Sequence, residues 1–308
     1  MRYRLRHATV YEYGSPVELA SHLLHLTPRD LPPHQRVLWH RLSSAPAPAR
    51  VARGRDHFGN PVARMALEER HDRFEVVSEA GVEVAFPAPP GPGETEPWER
   101  VAAWAPRAAP GVAEFAFDGP MTPASPAARD FALDSFPPGR PVLEGLLHLT
   151  ARFRREFAFR PGATSVATPV AEVLRRREGV CQDFAHAMIA GLRALGLPAR
   201  YVSGYLRTRP PPGEARRRGA DVSHAWVSAW LGPAHGWVGL DPTNDLVVRE
   251  EHVVLGWGRD FGDVSPLAGI ILGGGEHTVA VGVDLEPLGD GEDGAAAGGA
   301  AVASEAAS

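Results

Sequence analysis

The chain has 308 residues, 44% of them hydrophobic, and a formal net charge of −5. That is apolar material enough for one large domain or two ordinary ones, while the acidic balance argues against a general nucleic-acid binder, with no basic run longer than that of "ARRRG" at 215–219. A single cysteine, Cys181, excludes an intrachain disulfide and a CxxC metal site, leaving a buried thiol or a nucleophile.

The opening "MRYRLRHATVYEYGSPVELA" has no apolar h-region of a secretory signal. The late apolar run "SPLAGIIL" is far shorter than the roughly 20 residues a spanning helix needs. A cytoplasmic protein with no membrane contact is therefore expected. Period-two alternation predicts strands at 3–13, 36–42 and 73–84, and "DHFGNPV" at 56–62 predicts a turn in which Gly59 and Asn60 take unusual backbone angles. A β-rich domain is thus expected over 1–115, with helical pieces such as "WERVAAW" among Pro/Gly-rich connectors from about 86, and a linker over 116–139.

Helical spacing follows. In "PVLEGLLHLTARFRREF" the residues Val142, Leu146, Leu149 and Phe153 form one stripe, and "TPVAEVLRRREG" offers Thr168 and Pro169 as cap and first turn. A third helix begins at Cys181, with Phe184, Ala185, Met188, Leu192 and Leu195 on the face of the thiol, and Gly196 and Pro198 end it. "ARYVSGYL", "DVSHAWVSAWL" and "GWVGLD" read as strands, as does the late "EHTVAVGVDLEPL". The tail at 289–308 has no large apolar side chain except Val302 and is expected to be disordered.

A thiol in the first turn of a helix meets unpaired backbone N–H groups that favour an anion and can later hold an oxyanion. A thiolate nucleophile also needs a base, and the base a partner that fixes its tautomer. His224 alternates with Val222, Trp226, Ser228 and Trp230 on one strand face. Trp237, Gly239 and Asp241 share a face of the next strand, so pairing of the two strands through the "GPAH" turn would bring Asp241 to His224. Each residue has a plain alternative: a core thiol, a satisfied core histidine and a turn-forming aspartate before proline. Their occurrence together, in this order, favours chemistry.

"GVCQDFAH", "SHAW" and "GWVGLDPTN" together resemble the core of the transglutaminase-like superfamily over roughly residues 140–288, and "YRLRHATVYEYGSPVELASHLLHLTPR" is similar to the β-rich region that precedes this core in bacterial members. The resemblance implies an α+β fold, a papain-like core with a helix bundle packed on an antiparallel sheet. It also implies a Cys181–His224–Asp241 triad passing through a thioester. The expected reaction is hydrolysis of a peptide or isopeptide bond in a peptide or protein substrate. Protein-glutamine gamma-glutamyl transfer and a catalytically silent scaffold are the alternatives. No metal or cofactor is expected, and the first domain is a candidate surface for a protein partner. Gln182 is a candidate oxyanion donor through its backbone N–H, and Trp226 a candidate wall of the substrate cleft. Asp183 reads as a helix-dipole partner, and His186, five residues from Cys181 and off its face, as a poor base. The segment 207–220, five arginines against one glutamate, is expected to rim the site as a solvated loop. The glycines at 256–262 and 273–275 lack phosphate-loop spacing.

Overall fold

A computed structural model describes residues 1–208 and 222–288. Most of the arginine-rich segment, 209–221, and the tail expected to be disordered, 289–308, lie outside the described residues. The first five strands are β1 (Arg2–Leu24), β2 (Gln35–Ala45), β3 (Arg50–Arg55), β4 (Pro61–Leu67) and β5 (His71–Val84). Helices α1 (Trp98–Trp104), α2 (Pro110–Ala113), α3 (Pro126–Leu133) and α4 (Val142–Glu156) follow, then β6 (Ala158–Phe159), α5 (Val170–Arg176), β7 (Glu178–Gly179) and α6 (Cys181–Ala194). The chain continues through β8 (Ala199–Leu206), β9 (Val222–Trp230), β10 (Trp237–Asp241), β11 (Leu246–Val247), β12 (His252–Gly258), α7 (Phe261–Val264), β13 (Leu267–Gly273) and β14 (His277–Pro287).

β1 organises the first sheet, whose order is β2-β5-β1-β4-β3. Its buried Tyr3, Leu5, His7 and Thr9 alternate with the exposed Arg2, Arg4 and Arg6, which pins the register because a one-residue slip would bury the arginines. The strand runs past the predicted end at 13, and its register with β5 shifts between Glu12 and Val17. β13 and β14 both pair with β1, so the late strand from the second half of the sequence completes the first sheet. β3, β4, β12 and β13 have no counterpart among the predicted strands.

The second sheet is fully antiparallel, in the order β11-β10-β9-β8-β12. Val142, Leu146, Leu149 and Phe153 of α4 are buried, as their spacing predicts. They join α3, α5 and α6 in one core with Ala225, Val227 and Ala229 of β9. α3 lies within the stretch read as a linker; the Ser125 hydroxyl caps it by accepting from the Ala128 N–H at 3.2 Å. α5 starts one residue later than expected. Pro169 occupies its cap position, and the Thr168 hydroxyl instead accepts from the Ser165 N–H at 2.9 Å.

α6 departs from the single apolar stripe read in its sequence, because every residue from Asp183 to Arg193 is buried. Small residues permit this: a Cβ on Gly191 would stand 2.8 Å from the Ala132 Cβ of α3. A helix wrapped on all sides is a rigid support for whatever its first turn presents.

The two sheets meet where Tyr3, Leu5, Val82 and Leu285 pack on Tyr205, Val253 and Leu255. Two side-chain amides fasten β12 to the first half of the chain. Gln35 Nε2 donates to the Val254 carbonyl at 2.8 Å and its Oε1 accepts from the Val254 N–H at 2.8 Å. Asn60 does the same at Trp257, at 2.7 and 3.0 Å. Asn60 was expected to share the turn's unusual angles; only Gly59 does, at φ +74°. Asn60 acts through its side chain, and a Cβ on Gly256 would stand 2.8 Å from it.

Candidate active site

Cys181 is the first residue of α6 and half-buried against the helical core. Asp183, two residues on, is buried and holds the turn that presents the thiol: its Oδ2 accepts from the Val180 N–H at 2.8 Å and from the Thr164 hydroxyl at 2.6 Å. A Cβ on Gly179 would stand 2.7 Å from that carboxylate, which accounts for the glycine before the helix. Gln182 donates its side-chain amide to the Val166 carbonyl at 3.3 Å and leaves its backbone N–H in the first turn. His186 is buried; its Nε2 accepts from the Phe261 N–H at 3.1 Å, and burial first, then Arg193, lowers its pKa to about 4. It is a neutral, satisfied core histidine.

His224 and Asp241 are both buried, and His224 Nε2 lies 2.8 Å from Asp241 Oδ2. The pairing of β9 with β10, Gly239 opposite Ser228 and Leu240 opposite Val227, creates the contact, with Asp241 at the strand end where Pro242 follows. The two carboxylate oxygens divide two tasks. Oδ1 accepts from the Thr243 N–H at 3.0 Å and the Asn244 N–H at 3.3 Å and so shapes the turn; Oδ2 meets the histidine. One carboxylate thus shapes the turn and bonds the imidazole at the same time.

Burial disfavours the charge on His224 most strongly, but hydrogen bonds to Asp241 and Cys181 and their negative charge outweigh it and raise the pKa to about 10. Burial likewise pushes Asp241 up, and its hydrogen bonds from His224, His252 and Asn244 bring it well below the usual carboxylate range. The arrangement holds a proton on the imidazole beside the thiol.

Two neighbours went unnoticed in the sequence. Asn244 Nδ2 donates to Asp241 Oδ2 at 2.8 Å, and His252 Nε2 approaches the same oxygen at 3.4 Å. His252 heads β12, whose register on β8 sets it opposite Leu206. Its signal was a histidine opening the run "HVVLGWG". Trp226 is fully buried, 5.2 Å from the His252 ring and 6.2 Å from that of His224. A Cβ on Gly204 would stand 2.4 Å from its indole. Trp230, expected on the face of His224, joins the helical core instead. Among the described residues no cluster of three His, Cys, Asp or Glu could hold a metal ion, and no helix is long and apolar enough to cross a membrane.

Sequence comparison supplies the class. Residues 3–83 match the bacterial transglutaminase-like N-terminal region and residues 134–242 the transglutaminase-like superfamily. The chain belongs to that superfamily. An uncharacterized protein of Mycobacterium tuberculosis is 44% identical over 297 residues, 93% of each chain, and one of Mycobacterium leprae is 33% identical over 299 residues, 93% of this chain and 99% of its own. A protein-glutamine gamma-glutamyltransferase of Pseudomonas aeruginosa is 36% identical over 99 residues, 31% of this chain and 15% of its own. The fold is similar to a crystal structure described as "a Putative Cysteine Protease from Cytophaga hutchinsonii", with TM-score 0.71, 21% identity and coverage of 92% and 90% of the two chains.

Proposed function

We propose that this protein is a cysteine-dependent acyl-transfer enzyme acting on amide bonds, and that it hydrolyses a peptide or isopeptide in a peptide or protein substrate. The observation that carries the reading is the buried imidazole of His224, bonded to Asp241 at 2.8 Å and raised in pKa by Cys181 as well as by that aspartate. With Nε2 engaged by Asp241, Nδ1 is the nitrogen left for the thiol. The Cys181 thiolate attacks the amide carbonyl, and the tetrahedral oxyanion is held at the first turn of α6, the Gln182 N–H included. The His224 proton passes to the departing amine as the C–N bond breaks, leaving a thioester. Water, deprotonated by His224, then attacks the thioester; the acid leaves and the thiolate returns.

Hydrolysis is preferred over cross-linking because a cytoplasmic location, expected from the sequence, would expose the cell's own proteins to a cross-linker. The similarity to the Pseudomonas gamma-glutamyltransferase favours the second reading, in which an amine replaces water. Incubation with a glutaminyl peptide, with and without a primary amine, followed by mass spectrometry decides between them: acid product in both samples supports hydrolysis, and dominant amine adducts overturn it. Iodoacetamide at neutral pH tests the chemistry itself. Labelling of Cys181 should outpace that of glutathione and slow in His224→Ala; equal rates with no loss would return the chain to the silent-scaffold alternative.

A further inference from the structure

Beside the His224 cluster lies a cavity of about 420 Å³ that none of the proposed chemistry uses. None of Cys181, His224 and Asp241 lines it; Trp226, which does, has its ring 6.2 Å from that of His224. Its walls are largely apolar and aromatic: Trp226, Trp237, Trp257 and Phe86, with Val202 and Val254. The volume falls within the roughly 300–1,000 Å³ of small-molecule sites. Into this apolar setting the protein places a guanidinium, that of Arg200.

Arg200 is held by ring faces rather than by acceptors. It stacks on Trp257 at 3.7 Å and on Trp237 at 4.2 Å, and its Nε is buried without a hydrogen-bond partner. Among the described residues no aspartate or glutamate lines the cavity. A second guanidinium, Arg29, stacks on the Trp257 ring at 3.5 Å and adds to the positive potential. Burial, then Arg29, lowers the Arg200 pKa to about 9, a cost that no counter-charge offsets. An aromatic-walled cavity could in principle hold a cation, but Arg200 already takes that place over two of its indoles. What the site lacks is an anion with an apolar body.

We propose that this cavity is a binding site for a small apolar or aromatic carboxylate, its ring among Trp226, Phe86 and Val254 and its carboxylate on the free N–H groups of Arg200. A planar guanidinium with unfilled donors matches a carboxylate's two oxygens, and the stacked indoles hold it in one orientation. Ser228, His34 and His235 in the lining are further polar groups that can orient a ligand.

The test uses the full chain and two probes of equal shape, 3-phenylpropionate and its neutral amide, in calorimetric titrations followed in parallel by tryptophan fluorescence. Fluorescence is informative because three of the seven tryptophans line the cavity. The acid should bind saturably and at least about ten-fold more tightly than the amide, the worth of one charge-assisted contact. Arg200→Met should bring the acid to the level of the amide, and Cys181→Ala should leave both unchanged. Equal binding of acid and amide, or no saturable binding of either, overturns the proposal without relying on any variant. Loss of acid binding in Cys181→Ala would assign the ligand to the thiol site and overturn it as well.

Discussion

The helix-packed side of the second sheet and its cavity side each enclose an arginine, and the two are handled in opposite ways. Arg193, near the end of α6, donates to the carbonyls of Phe115, Ala199 and Arg259 and to the Thr122 hydroxyl, at 2.8 to 3.1 Å. Arg200, on β8, has aromatic faces and an unfilled donor. Burial lowers the pKa of both, to about 10 and about 9. A buried charge whose donors are filled knits segments together; one whose donors are open has its partner still to come. The histidines divide in the same way. His186 is neutral and satisfied, whereas His224 is charged beside a thiol.

The largest expected effect breaks the histidine half of this contrast. Cys181→Ala should remove acid product from the peptide assay by ~10⁴-fold or more, as loss of a nucleophile does in a cooperating set. His186→Gln should leave the rate of Cys181 alkylation within about two-fold, because residues outside the reacting set rarely move the chemistry. Next come the arginines. Arg193→Met strips charge-assisted bonds from three carbonyls and a hydroxyl and should destabilise by ~3–5 kcal/mol in urea unfolding. Arg200→Met loses only its stacking and removes a desolvated charge, so a change within about 1 kcal/mol of zero is expected. Equal losses would mean that both arginines are structural.

The histidine half of this contrast was readable before the fold, the arginine half was not, and the unread part has physical causes. Cys181, His224 and Asp241 stood out because each belongs to a local pattern, a helix start or a strand alternation, and because β9 and β10 are sequence neighbours that also pair. β12 was hidden. Gly256 and Gly258 interrupt its alternation, and Gly256 is there because Asn60 lies against it. Its partner is β8, some fifty residues earlier, so adjacency in sequence offered no hint of His252. β13 and β14 return to β1 across the whole chain, a pairing that period-two alternation identifies as strand but cannot assign to a sheet. The whole-surface burial of α6 was missed for a related reason: Ala187, Ala190 and Gly191 carry no apolar stripe of their own, and only packing shows that smallness lets neighbours close in.

Titration gives a smaller effect with two signs. His7 and His186 have folded pKa values lowered to about 4, the first by burial, the second by burial and Arg193. Unfolded histidine titrates near 6.5, so between about pH 6.5 and 4 the unfolded chain binds protons that the fold excludes. Stability therefore falls as pH falls, by up to ~1.4 kcal/mol per pH unit for each. His224 runs the other way. With its folded pKa raised to about 10, its contribution is full below about 6.5 and is lost as pH rises toward 10. Asp241, lowered, contributes above about pH 4 and loses that contribution only in stronger acid. Urea titrations at pH 5, 7 and 9 should show a maximum near 7. Cys181→Ala, by removing one source of the raised His224 pKa, should flatten the alkaline side and leave the acid side unchanged. A wild-type profile level from pH 5 to 9 would contradict both assignments.

The smallest effect concerns His252, at the edge of the His224–Asp241 pair. It touches Asp241 Oδ2 at 3.4 Å, longer than the 2.8 Å contacts of His224 and Asn244, and meets Trp226 edge-on at 74°. A long contact to an oxygen already held twice positions Asp241 rather than supplying chemistry. His252→Gln should therefore slow Cys181 alkylation by about ten-fold at most, or ~1.4 kcal/mol, while shifting its pH profile through the weakened hold on Asp241. Asn244→Ala, removing the shorter contact, should shift the profile further in the same direction. A purely structural His252 would change unfolding and leave the pH profile where it was. A loss of 10³-fold would show that the imidazole meets the reacting atoms itself.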